Sequence, residues 1–404
     1  MLEIGLIFRA LMRNKMGALL IAFQIALTMA IMVNAIFMIQ DRQQQMKRPS
    51  GIDENNTFYL TNTVFAQDHN FQAELQTDLN TIRKTPGIVD AIQINAIPLS
   101  GGGWSMSLQL EPGEDKDAIG SALYMVDEHG INTMGLTLIA GENFSQEDIQ
   151  WRGEGQSKWP PKTIITKAFA SQLFPDDWQS AIGKTFYISQ SQPMQIIGIV
   201  EALQAPWNGW DGVERSMLVP FQMESSSSYY LIRTEAGKRD QMMPIIEKEL
   251  AERNKGRIIR RVTTIEDTRK RSYRQHNATN KILTTVVTTL TLITSFGIVG
   301  LAIFSINRRT KQIGTRRALG ANRWQIMRYF MVENFIISAV GVIIGSLAAV
   351  GLNMWLVSTF NLTPISFKLV LFGVVTLFLV GQLAVLYPAR KAALIPPATA
   401  TRTI

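Results

Sequence analysis

The chain has 404 residues and a formal charge of +8, which invites a nucleic-acid reading until the charge is divided by position. Residues 41–281 carry 26 basic and 30 acidic residues, net −4, so the positive excess sits in short segments beside apolar blocks. That pattern excludes nucleic-acid binding as the first choice and points to membrane orientation. The absence of cysteine excludes disulfides, thiolate metal sites and cysteine nucleophiles, and the three histidines, His69, His129 and His276, show no metal-ligand spacing.

At the start, Ile4, Ile7, Phe8 and Leu11 form an apolar stripe, so 1–15 is expected to be a cytoplasmic amphipathic helix on the membrane face. Residues 16–40 are uncharged and long enough to cross a bilayer. They are too long for a signal peptide and no small-residue cleavage site follows, so a retained anchor is expected. Residues 41–281 form the next region, expected to be an extracytoplasmic domain on a helical stalk. One stalk helix continues the first span to the break at Pro49-Ser50-Gly51, and 265–281 forms the other as a polar helix leading into span two. A strand–helix–strand pattern occurs twice, at 57–65, 71–84 and 89–97, and again at 229–233, 240–253 and 257–263. The helix at 71–84 carries Phe71, Leu75, Leu79 and Ile82 at helical steps. The Gly- and Trp-rich segment between them, about 101–221, reads as an inserted subdomain, with one continuous α+β domain as the alternative.

Further spans are expected at 282–307, 334–358 and 368–389, separated by a basic loop at 308–333 and a short connection near Pro364, with a tail at 390–404. The fold class is therefore an α-helical membrane protein with four transmembrane helices plus a large α+β periplasmic domain. Basic residues flank the spans at Arg9, Arg13 and Lys15, through 308–328, and at Arg390, Lys391 and Arg402, which puts both termini and the 308–333 loop in the cytoplasm. In span three, Gly341 and Gly345 stand four apart, where small residues allow close helix packing or serve merely as ordinary intramembrane glycines.

Two nucleotide-like motifs fail. Leu99-Ser100-Gly101-Gly102-Gly103 is similar to an ABC signature loop, and Gly183-Lys184-Thr185 to the end of a phosphate-binding loop, but Trp178 stands where the latter needs glycine. No ATP site is expected on this chain, and no enzyme activity. The apolar cores of the spans hold no ionisable residue, so no ion-coupling group is expected there either. Driving energy must enter from another subunit.

In the 308–333 loop, a basic helix is expected to continue span two to Leu319, with Gly320 as its C-terminal cap and Asn322 with Gln325 as a capping box for the next helix. The run Lys311-Gln312-Ile313-Gly314-Thr315-Arg316-Arg317-Ala318-Leu319-Gly320-Ala321-Asn322 resembles the coupling segment of MacB-like and FtsX-like ABC permeases. It departs from the family at Gln312, usually Glu, and at Asn322, usually Ser or Thr. Tyr387-Pro388-Ala389-Arg390-Lys391-Ala392-Ala393 resembles the family's end of span four. Gly135, Leu138, Gly141, Phe144 and Asp148, with Leu173-Phe174-Pro175, Ile182-Gly183-Lys184 and Ile197-Gly198-Ile199-Val200, are similar to the MacB-type periplasmic core domain.

The resemblance implies a permease of the bacterial inner membrane that transmits motion from an ATPase to a periplasmic domain and so drives efflux. Ile313, Gly314, Arg316, Arg317, Ala318, Leu319, Gly320 and Ala321 would then dock on a separate ABC ATPase subunit. That subunit would hold the ATP and Mg, while this chain binds no cofactor and no metal. A homodimer or a heterodimer with a second permease is also implied, with a periplasmic adaptor and an outer-membrane channel. Lipoprotein-releasing permeases and FtsX-type signalling proteins are the alternatives, the first disfavoured by the short connection between spans three and four.

Overall fold

The computed structural model describes residues 7, 11, 15–65, 70–153, 155, 158–360 and 363–397. Most of the expected 1–15 helix, His69 and the tail from residue 398 fall outside the described residues. The chain divides into two units, Lys47–Gln275 (the large domain) and Met1–Met46 with His276–Ile404 (the helical unit).

The large domain begins with strand β1 (Thr57–Val64), helix α2 (Phe71–Lys84) and strand β2 (Ile88–Ile94), following α1 (Lys15–Lys47). Asn70 caps α2 by accepting from the Ala73 amide at 3.0 Å, and Leu75, Leu79 and Ile82 form its buried stripe. After a long insert come β12 (Ser227–Thr234), α5 (Arg239–Arg253) and β13 (Arg257–Thr264). These four strands make one antiparallel sheet in the order β13-β1-β12-β2, so the first strand lies between the last two. Two strand–helix–strand units thus interlock as a split, ferredoxin-like βαβ pair. Phe58, Leu60, Tyr230 and Ile232 face α2 and α5 on one side. On the other side Tyr59, Ile92, Ile94 and Leu231 pack against the insert. Both faces are covered at the middle of the sheet, which is why the central segments 58–60 and 230–232 are apolar on both sides, whereas the edge strand β13 carries Arg257, Arg260 and Arg261.

The insert contributes β3 (Trp104–Gln109), β4 (Ile119–Met125), α3 (Gly130–Met134), β5 (Leu138–Gly141), β6 (Gln150–Arg152), β7 (Lys162–Thr166), α4 (Lys167–Leu173), β8 (Thr185–Ile188), β9 (Gln192–Val200), β10 (Ser216–Val219) and β11 (Phe221–Met223). Its main sheet runs β5-β9-β7-β10-β4-β3-β8, and β8 returns to pair with β9. Six strands therefore close on themselves around Phe169, Phe186, Met194, Ile196 and Met217, leaving few open edges. A buried polar joint ties this barrel to the sheet. Arg83 of α2 reaches Asp127 at 2.9 Å and Asp90 at 3.2 Å, while Asp90 also binds His129 at 3.0 Å and accepts from Asn132 at 2.7 Å. The Asp90 hydrogen bond raises the His129 pKa.

A second buried pair closes the sheet's helical face. Arg257 of β13 bonds Asp78 of α2 at 2.7 Å and also reaches Glu74. Tyr230 donates to Asp78 at 3.0 Å. Burial raises the Asp78 carboxyl above its ordinary value although Arg257 pulls the other way.

The chain leaves the domain beside where it enters, since Phe58 pairs with Thr264. Arg269 clamps the two ends, bonding Glu54 at 2.7 Å and the Arg48 carbonyl at 2.7 Å. The exit differs from the expected single helix at 265–281. Helix α6 (Ile265–Ser272) stops, and α7 (Arg274–Arg308) starts after Tyr273. Tyr273 is buried and leaves helical geometry at φ −91° and ψ 9°, with the Arg269 guanidinium over its ring.

The helical unit holds α1, α7, α8 (Thr310–Ala318), α9 (Arg323–Phe360) and α10 (Phe367–Ala393). Four of these, all except α8, are long and apolar enough to cross a membrane, which makes this a multi-pass membrane protein. Helix α9 merges the expected amphipathic helix and third span into one element. Helix α1 is the centre of the bundle. Its Thr28 hydroxyl meets Thr294 of α7 at 2.7 Å, and Asn34 donates to the Ala349 carbonyl of α9 at 3.0 Å. Gly341 and Gly345 also face α1. A Cβ would lie 2.7 Å from the Ala22 carbonyl at Gly341 and 2.6 Å from Met29 Cβ at Gly345, so any side chain forces the helices apart.

Two outcomes are expected. Arg257→Leu, which strands Asp78 and Glu74 without their cation, should destabilise the large domain by about 3–5 kcal/mol, whereas Asp78→Leu with Arg257→Leu should recover part of that loss, both read by chemical denaturation. Gly341→Leu with Gly345→Leu should lower the melting temperature of the purified chain and broaden its size-exclusion peak. Gly351→Leu, where a Cβ meets nothing within 4 Å, is the control that should leave both unchanged.

Candidate functional site

The 308–333 segment forms a folded corner. Contrary to the expected continuation of span two to Leu319, α7 ends at Arg308, and Arg309 leaves helical geometry at φ −108° and ψ 12° before α8 begins. Tertiary contacts explain the break. Arg309 turns its guanidinium to the Tyr329 hydroxyl at 3.1 Å and to Glu333 at 3.1 Å, both on α9. The Arg316 guanidinium lies 5.1 Å from the centre of the same tyrosine ring.

The far end of α8 closes on Gly320 at φ +97°, a conformation that glycine adopts without strain. The Gly320 amide donates to the Arg317 carbonyl at 3.2 Å and the Ala321 amide to the Arg316 carbonyl at 3.0 Å, the paired bonds of a Schellman cap. Arg317 also donates to the Ala321 carbonyl at 3.2 Å. Next in the chain, Asn322 accepts from the Gln325 amide at 2.8 Å while the Gln325 side chain accepts from the Asn322 amide at 2.9 Å. This reciprocal capping box starts α9.

The corner has two faces. Ile313 and Gly314 are buried beneath α8, and Ile313 packs with Ile306, Ile326 and Phe330 against Ala389, Ala392 and Ala393 of α10. Arg316, Ala318, Leu319 and Gly320 are exposed, with Arg317 and Ala321 half-buried. At the tip, Leu319 is 83% exposed and Trp324 61% exposed, an unusual presentation for two large apolar side chains. Gly341 and Gly345 lie apart from the corner, on the α1-facing side of α9.

Sequence reasoning missed Arg309, Tyr329, Glu333 and Trp324. Glu333 carried a signal, being the only acid after Asp267, placed at the end of a strongly basic segment. Among the described residues no group of three or more His, Asp or Glu is placed to hold a metal. At Gly183-Lys184, the Gly183 amide is spent on the Ile196 carbonyl at 2.8 Å and the Lys184 amide on Ala181 at 3.1 Å, leaving neither for a phosphate.

Residues 284–397, which include this corner, match the family described as FtsX-like permease C-terminal. The chain is 24% identical to the ABC transporter permease YknZ of Bacillus subtilis over 99% of its own length and 98% of that protein. It is 27% identical to the macrolide export ATP-binding/permease protein MacB of Campylobacter jejuni, covering 67% of this chain but 43% of that protein. Among solved structures, the periplasmic region of MacB from Actinobacillus actinomycetemcomitans matches 56% of this chain and 97% of its own at 15% identity and a TM-score of 0.34. The extracellular domain of YknZ matches 50% of this chain and 98% of its own at 18% identity and a TM-score of 0.32. The segment 284–397, which holds most of α7 and all of α8, α9 and α10, is thus an FtsX-like permease domain, and the chain as a whole is similar to ABC transporter permeases of the MacB and YknZ kind.

Proposed function

We propose that the chain is the membrane-spanning half of an ABC-type exporter and that its corner at 309–325 receives force from a separate ATPase subunit. The corner carries the reading. Its two caps and the Arg309 brace resist bending, its underside is fastened to α10, and its tip offers Leu319 and Trp324 beside exposed arginine. A push on such a tip passes into α7 and α9 instead of being lost in a loop.

The absence of ionisable groups from the apolar cores supports energy input from outside the membrane. MacB is named as an ATP-binding and permease protein together, whereas YknZ, matched almost end to end, is named as a permease. In this reading the partner holds the ATP and Mg and seats on 316–321, while Ile313 and Gly314, expected from the sequence to dock as well, are buried on the underside and support that seat from within. Both termini are cytoplasmic and 41–281 lies outside the inner membrane, as the flanking arginines and lysines require. Two permeases, identical or not, move their large domains together. Those motions drive substrate outward through a periplasmic adaptor and an outer-membrane channel.

Orientation is tested with single cysteines in this cysteine-free chain. Cysteines at the exposed positions Ser191 and Ser227 should react with an impermeant maleimide in outer-membrane-permeabilised cells, and one at Thr315 should react only after the inner membrane is breached. Labelling of Thr315 alone in intact cells would reverse the assignment.

Coupling is tested with Gly320→Val and with Arg316→Glu plus Arg317→Glu. A Cβ at Gly320 meets nothing within 4 Å, so valine acts through backbone strain, of order 1–3 kcal/mol, and not through a clash. Both variants should insert normally yet cut ATP hydrolysis by the co-reconstituted partner at least fivefold. Unchanged hydrolysis in both, or hydrolysis by this chain purified alone, would sink the reading.

A further inference from the structure

The glycine-rich loop at 99–103, which does not fit a nucleotide site, lines a half-open cavity of about 680 Å³ in the large domain. That volume is in the range of sites for small organic ligands. Its walls are aromatic. Tyr59 and Tyr229 meet edge to face at 5.8 Å, and Trp207 is held edge to face against Trp210 at 6.0 Å. Thr268 on α6 bonds the Tyr59 hydroxyl at 3.3 Å and fixes that ring. Gly101 and Gly102 border open space, since a Cβ at either would meet nothing within 4 Å.

Among the described residues only two charged side chains line the cavity, Arg261 and Arg271, and both are cations. Among the described residues neither has an ion-pair or hydrogen-bond partner. The backbone reinforces the point. Arg261 sits at φ +53°, where the β1–β13 register slips between Tyr59 and Thr61, and Leu99, also in the lining, sits at φ +63°. Bulges of this kind re-aim a side chain, and non-glycine residues in the left-handed region concentrate at ligand sites. Two of the five such residues in the described chain line this one cavity.

Three aromatic rings in a lining that is otherwise mixed, with two free guanidinium groups and no facing acid, reject cations and favour an acid group attached to a planar body. We propose that this cavity binds an amphipathic organic anion, its flat apolar part against Tyr59, Tyr229 and Trp207 and its acid group on Arg261 and Arg271. The site stands independently of the coupling corner, and binding is measured without any ATPase.

The test uses the full chain in lipid nanodiscs, titrated with naphthalene-2-sulfonate and with the uncharged naphthalene-2-sulfonamide, with empty nanodiscs subtracted. The sulfonate should bind saturably and at least tenfold more tightly than the sulfonamide. Arg261→Gln with Arg271→Gln, both at exposed positions, should abolish that tenfold preference while the melting temperature holds. Trp207→Ala should weaken both probes. Absence of saturable sulfonate binding, equal affinity for the two probes, or a preference that survives the double arginine variant would each overturn the proposal. Lys116→Gln with Lys184→Gln, away from the cavity, reports surface attraction, and an equal loss of preference in that variant would also overturn it.

Discussion

The large domain depends on one pairing constraint, the placement of its first strand between its last two. β1 bonds β12 through Thr57–Arg233 and β13 through Phe58–Thr264, so the sheet cannot form until about 170 residues of intervening chain have been accommodated. The pairing has two consequences. It forces the chain to enter and leave the domain side by side, where Arg269 clamps Glu54 and the Arg48 carbonyl. It also leaves the whole insert to grow from the gap between β2 and β12, where it covers the sheet's second face and becomes part of the same core.

The corner at 309–325 applies the same logic on a smaller scale. Neither α8 nor the turn after it has much intrinsic stability, since nine residues in water make a marginal helix. Stability comes from outside the element, with apolar Ile313 beneath, the Arg309–Glu333 pair at one end and the Gly320 cap at the other. Glu333 and Arg309 are largely shielded from water, so separating them leaves a charge without a partner. The brace therefore makes the angle between α8 and α9 costly to change.

How much of this was legible in the sequence follows from the range of each interaction. Local signals were read well. The span-length apolar blocks, the Asn322–Gln325 box, the Gly320 cap and the α2 stripe are all set by neighbours within a few residues. Breaks imposed from a distance were not. Nothing near Arg309 announces that Tyr329 and Glu333 will pull it out of a helix, and nothing near Tyr273 shows that it will be buried. The barrel was invisible for a related reason, because its closure needs β8 to pair with the distant β3, Leu108 against Ile188, as well as with its neighbour β9, and its strands of four to nine residues carry weak periodicity. The 99–103 segment stood out in the sequence only as a failed nucleotide motif, and the cavity behind it depends on Tyr59, Trp207 and Arg261, which meet only in the folded domain.

The membrane helices hold together by neutral polar contacts and close backbone approach. Their cross-helix hydrogen bonds are neutral, Thr28 to Thr294, Asn34 to Ala349 and Asn334 to Gly381. In a bilayer each is worth about 0.6–2 kcal/mol, enough to set the rotation of one helix against another but far short of a buried ion pair. Close approach at Gly341, Gly345 and Gly373 supplies the remaining cohesion through dispersion, with Gly373 a Cβ's width from Val33 of α1. Smooth small-residue surfaces and weak polar registers resist separation more than they resist sliding. All three of those close approaches fall on α1, so the helix that runs on to Lys47 is also the one against which both α9 and α10 are packed most tightly, and a bulky side chain at any of the three glycines would have to displace it.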